Sequence, residues 1–360
     1  MTDAARPDLE VLPCAAEPRG GRALAAALRE DRLLYLVITL YVLAAAMVWW
    51  PHRWSIGAGF FSYVGWWAQL ASGLFCIYVP LAAGWRVLRS RPARPVRGFF
   101  EAVLAVCTPR LFAGLILYIA LGFALGAFTT LKPMLPLLQP FRFDVPLADL
   151  DARLHGGEPW TLLQAWLGSP DVTRAIGYLY VPVWGTLATY TPLPVAALCR
   201  DRVLRTQYLL ALVVSLFVYG SLLAGLFMSG GPAFYAEITG DAERFAAVRD
   251  YLQQFTGEQF AAWDLQRTLW DGYLQRRSGF GLGISAFPSV HVTCACLLAL
   301  LAWRLNRLLG AAAWLFAAAT MVGSVHLGWH YAVESWFILL TIWPVWALCG
   351  EVARRSAPGD

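Results

Sequence analysis

The chain has 360 residues, of which 59% are hydrophobic and 14% charged, and it carries a formal net charge of +5. So little charge cannot cover a soluble domain of this length. No stretch combines basic residues with the pattern of a nucleic-acid reader, so nucleic acid is excluded as a partner.

The chain is therefore read as all-α, a polytopic transmembrane helix bundle whose main partner is the bilayer. Apolar runs of about 18 residues or more have the length of a membrane helix. Residues 1–32 are mixed and Arg-containing, unlike a cleavable signal peptide. They read as a disordered lead followed by a short amphipathic helix near Arg22–Arg32. About eight spans follow, near 33–50, 60–84, 111–131, 176–199, 206–229, 288–307, 310–328 and 331–350. Of the seven Cys, none lies in the two long polar loops, so no structural disulfide is expected.

Alternate connecting segments are basic: Arg6 to Arg32, Arg86 to Arg110, Arg200 to Arg205, Arg304 with Arg307, and Arg354 with Arg355. This bias puts them, and both termini, in the cytoplasm. The long loops 132–175 and 230–287 then face outward, together with the active site. The Ala, Leu and Arg bias points to a plasma membrane, that of a bacterial cytoplasm. In the second loop Phe245, Val248, Leu252 and Phe255 repeat at helical spacing, and Trp263 and Trp270 are seven apart. Helices lying in the membrane interface and helices packed on the bundle's outer end both fit that pattern.

The polar chemistry sits at two places. Ser285-Ala286-Phe287-Pro288-Ser289-Val290-His291 opens the sixth span. Pro suits a first helical turn and Ser a cap, and free amides at a helix start bind phosphate. The second place is His326-Leu327-Gly328-Trp329-His330-Tyr331-Ala332-Val333-Glu334. Helical spacing puts His330 and Glu334 on one face. A carboxylate on one ring nitrogen fixes the tautomer and makes the other nitrogen a better nucleophile or base. Two His and a carboxylate can divide phosphoryl transfer, one His attacking phosphorus and the other protonating the leaving oxygen. His326, four residues before His330, reads as a phosphate contact, a helix cap or half of a metal pair. His155 beside Gly156-Gly157 reads as a loop residue. Asp144, Asp149 and Asp151 form either a polar network or a solvated loop. Gly231-Pro232 shapes the end of the fifth span near a headgroup or simply stops the helix.

These motifs resemble the type 2 phosphatidic acid phosphatase superfamily of lipid phosphatases and phosphotransferases. The resemblance is closest to the branch containing the inositol phosphorylceramide synthases. Pro288-Ser289-Val290-His291 is similar to the family's second motif, and His330 with Glu334 to its third, His, three residues, Asp. Asp151 to Trp160 and Gly230-Gly231-Pro232-Ala233-Phe234-Tyr235 also look like this branch. The resemblance implies a six-helix catalytic membrane domain over 111–350. Before it come the cytoplasmic tail 1–32 and, over 33–110, two additional helices with a basic loop; 351–360 is a second tail.

By position, His330 is implied as the nucleophile that becomes phosphohistidine, Glu334 as its orienting group and His291 as the general acid. Ser289 would hold the phosphate. The implied substrate is a phosphorylated lipid, with no metal and no cofactor. Hydrolysis and transfer share the first half-reaction and stay open, as does oligomeric state. Three positions depart from the family. Glu334 replaces Asp, Ser324 stands where an Arg is usual, and the first motif, Lys, six residues, Arg-Pro, is not found. Lys132, Arg142, Arg276 and Arg277 are the cations available to the phosphate. A non-catalytic lipid-binding or transport protein on the same scaffold is the rival reading.

Overall fold

The computed structural model describes residues 20–356. The lead before Gly20, with Arg6, Cys14 and Arg19, and the tail beyond Ser356 lie outside the described residues. Every regular element among the described residues is helical.

Polar caps set the helix starts. Thr108 accepts from Leu111 N at 3.2 Å at the head of Pro109–Leu131. Asp201 accepts from Leu204 N at 2.8 Å before Arg202–Phe217. Asn306 accepts from Leu308 N and Leu309 N at 2.8 and 3.1 Å before Arg307–His326. Each takes up amides that a helix start leaves unpaired.

Six helices are long and apolar enough to cross a membrane: Arg32–His52, Val64–Ser90, Pro109–Leu138, Arg202–Leu226, Arg307–His326 and Ala332–Ser356. Two of the about eight expected spans differ from these six. Val290–Leu305 is apolar but shorter. The stretch read as 176–199 is broken into Pro170–Tyr178, a π turn at Leu179–Val183, Trp184–Tyr190 and Pro192–Leu198. The cause is local: Pro182, Pro192 and Pro194 lack the amide that an unbroken ladder needs.

The first span shows how the bundle sorts its faces. Leu34, Ile38, Tyr41 and Ala45 are buried, while Leu36, Leu40, Leu43 and Met47 are exposed. Both sets recur at helical spacing, one turned to the core and one outward. The core joins Leu117, Tyr118, Leu209, Val292, Leu297, Ile338 and Ile342 from four helices. Backbones approach closely where Gly114 meets Ala196; a Cβ at Gly114 would lie 2.3 Å from the Ala196 carbonyl oxygen.

A cap covers one end of the bundle. It contains the helices Asp144–His155, Pro159–Leu167, Ala246–Gln253 and Ala262–Leu274. Phe245, Val248 and Leu252 are buried with Val325, Leu327 and Tyr331, so the helical pattern in the second loop packs on the bundle. Gln266 reaches the Leu327 carbonyl at 2.8 Å and Trp160 reaches that of His326 at 3.0 Å.

At the opposite end of the same helices, the amphipathic segment forms as Gly21–Glu30. The next residue, Asp31, is buried and binds the guanidinium of Arg205 through both oxygens, one bond measuring 2.9 Å. Arg110 and Arg202 pair with Glu30 at 3.4 and 3.1 Å. Removing one partner of a buried pair strands the other charge. Asp31→Ala should therefore lower stability by about 3–5 kcal/mol, read by thermal unfolding in detergent. Asp31→Leu combined with Arg205→Met should recover most of that loss.

Candidate active site

The Val290–Leu305 helix is capped by Ser289, whose hydroxyl accepts from Val292 N at 3.4 Å. Pro288 stands one residue before the cap. His291 follows in the first turn. Its ring stacks on Tyr180 with centroids 4.6 Å apart and meets Trp184 at 3.9 Å. Trp184 Nε1 also donates to the His291 carbonyl at 2.9 Å.

His330 lies on the turn before Ala332–Ser356, not within the helix. Glu334, in that helix's first turn, reaches back. One oxygen bonds His330 Nδ1 at 2.8 Å, and the other accepts from Tyr331 N at 2.9 Å. Glu334 is fully buried. With Nδ1 donating to the carboxylate, the lone pair sits on Nε2. The His291 and His330 rings are 6.5 Å apart, so the structure brings His291, His330 and Glu334 into one cluster.

Lys132, at the end of the Pro109–Leu131 helix, is close enough to His291 to act on it electrostatically. It had no distinguishing signal when read alone. After six intervening residues come Gln139 and Pro140, which is the spacing of the first motif with Gln in place of Arg. Arg276 and Arg277 are exposed and line a shallow cleft with Pro133, Gly283 and Ile284, beside the Lys132 backbone. Arg142 is exposed at the entry to Asp144–His155. No hydrogen bond or ion pair ties these three guanidinium groups to the histidine pair. His326 is fully buried, with Nε2 2.8 Å from the Thr173 hydroxyl, which in turn meets Tyr251 at 2.7 Å. Its ring is committed to that network.

Two aspartates do more than the sequence disclosed. Asp144 accepts from Gly230 N and Gly231 N and, at 2.8 Å, from the Tyr331 hydroxyl. Asp151 accepts from Ala332 N at 2.7 Å and Val333 N at 2.8 Å, capping the Glu334 helix from another element. Both are buried, so the solvated-loop alternative does not hold for them; Asp149 pairs with Arg244 instead. Burial pushes both buried carboxyls up, and the backbone amides they accept pull them back. The one advance signal was their seven-residue spacing, which shares a helix face. Gly231 is required here: its φ is +92°, and a Cβ would lie 2.5 Å from the Trp329 carbonyl oxygen. His155 is held by the Asp151 carbonyl at 2.8 Å and by Trp336.

The long apolar helices are those of a multi-pass membrane protein, and a histidine pair with a buried carboxylate is chemically suited to phosphoryl transfer. The family described as the PAP2 superfamily matches residues 145–335, more than half of the chain. The chain belongs to the PAP2 superfamily. No curated protein and no solved structure gave a match.

Asp144→Ala would leave two buried amides and the Tyr331 hydroxyl without an acceptor. Each costs about 1–3 kcal/mol. A loss of at least about 3 kcal/mol is expected, read as a lowered thermal midpoint, with Asp144→Asn milder.

Proposed function

We propose that the protein is a metal-independent lipid phosphatase or lipid phosphotransferase that works through a phosphohistidine. One observation carries the reading: a buried Glu334 holds His330 Nδ1 at 2.8 Å, with His291 on the other side of a 6.5 Å gap between rings. That gap suits a single phosphoryl group. His330 Nε2 attacks phosphorus, the bond from phosphorus to the lipid oxygen breaks, and His291 gives that oxygen a proton. An acceptor hydroxyl then attacks the phosphohistidine. His291, now neutral, takes the acceptor's proton, and His330 leaves. Water as acceptor gives hydrolysis; a lipid or polyol hydroxyl gives transfer, as in the inositol phosphorylceramide synthase-like branch.

Phosphoryl transfer needs positive charge on the equatorial oxygens. Lys132, which acts electrostatically on His291, is the cation assigned to this role, with Ser289 at the cap of the His291 helix. Arg276 and Arg277 lie further out and suit a headgroup entering along their cleft. His326, held by Thr173, takes a supporting part.

The exposed apolar faces of the outer helices support a lipid substrate. Orientation rests on charge. Arg110, Arg202 and Arg205 open two helices whose far ends lead to Lys132 and to Gly230-Gly231. With the basic end cytoplasmic, the site faces outward. A reporter fused within 241–275 should therefore read as extracytoplasmic; a cytoplasmic signal would reverse the orientation.

The function is tested by phosphate release from a panel of lipid phosphates, with added lipid alcohols to detect transfer. His330→Ala should abolish turnover. Glu334→Gln should lower it on the order of 10² or more, since the worked serine-protease triad loses about 10⁴ on the matching change. Glu334→Asp should be tolerated far better, and EDTA should have no effect. Full activity in Glu334→Gln with loss in EDTA would replace the phosphohistidine with a metal site.

A further inference from the structure

The π turn at Leu179–Val183 has an effect on the site. Pro182 withholds an amide, and the wider turn sets Tyr180 and Trp184 on the same side, both against the His291 ring. Such turns recur at functional sites. Trp184 satisfies its indole N–H on the His291 carbonyl. Tyr180 does not satisfy its hydroxyl. The residue is 2% exposed, and its buried hydroxyl makes no hydrogen bond of normal geometry, with the Ser289 side chain as its near polar neighbour. It lies beside Ser289, within the electrostatic reach of Glu334.

A buried hydroxyl with no partner is destabilising. This one sits among the groups that would surround the phosphoryl group. Ser324, whose carbonyl accepts from His330 N, turns its own hydroxyl away to the Met321 carbonyl at 2.7 Å. Resting on the phosphohistidine reading, we infer that the Tyr180 hydroxyl is a phosphate ligand of this site, donating a hydrogen bond to an equatorial phosphoryl oxygen while its ring braces His291.

The two parts of the side chain are separable. Tyr180→Phe keeps the stacked ring and removes only the oxygen. Purified full-length protein in detergent is titrated with orthovanadate, a mimic of the phosphoryl group in flight. The variant should bind on the order of ten- to a hundredfold more weakly, as expected for one lost donor at a developing oxyanion. Without ligand its thermal midpoint should be unchanged or higher, because the unpaired hydroxyl is gone. Equal orthovanadate affinity in the two proteins overturns the inference and leaves the phosphohistidine reading intact. A lowered midpoint in the variant also overturns it, since the hydroxyl would then be structural. Failure of the unaltered protein to bind orthovanadate overturns both.

Discussion

The carboxylate of Glu334 holds two things that cannot be separated. One oxygen orients His330, and the other closes the first turn of the Ala332–Ser356 helix through Tyr331 N. The pairing is therefore tied to the helix start itself. Asp151 pins the next two amides of that helix, and Asp144 pins Tyr331 from the side. The cap over the bundle end is what supplies both aspartates. Such outer contacts orient a catalytic ring more tightly than its immediate neighbour could.

Much of this was legible in the sequence, for definite reasons. Long apolar runs fix helices, because lipid leaves a backbone no other way to pair its polar groups. The four-residue interval from His330 to Glu334 correctly brought the two side chains together, although His330 sits on a turn and only Glu334 in the helix. Hydrophobic period read 176–199 as one span, and it cannot show the breaks at Pro182, Pro192 and Pro194 or the π turn among them. The aspartates were hidden for another reason. Asp144 and Asp151 on a short polar helix look the same whether that helix faces water or clamps a neighbour. Only the approach of Gly230, Gly231 and Ala332 from distant parts of the chain decides between the two. Lys132 was one of four equal cations until the fold brought it within electrostatic reach of His291.

The far end of the molecule shows the same economy. Asp31 breaks the amphipathic helix from the first span and is the partner of Arg205, so one residue joins the N-terminal helices to a helix inside the matched family region. A charge buried at that depth is tolerable only when paired and bonded. Arg205 meets that condition with Asp31 and the Ala196 carbonyl at 2.8 Å. The bundle is thus fixed by ionic contacts at one end and by carboxylate-to-amide contacts at the other, with apolar packing between.

The most direct test of the account is to trap the covalent intermediate. Purified protein is mixed briefly with a lipid phosphate labelled at phosphorus, quenched in alkali and mapped by proteolysis. Phosphohistidine survives alkali and is lost in acid, which separates it from an acyl phosphate. The account predicts one alkali-stable label on the peptide containing His330, gone in His330→Ala and formed more slowly in His291→Ala, which lacks the proton donor for the leaving oxygen. Turnover with no label on His330, or a label that survives acid, would contradict it.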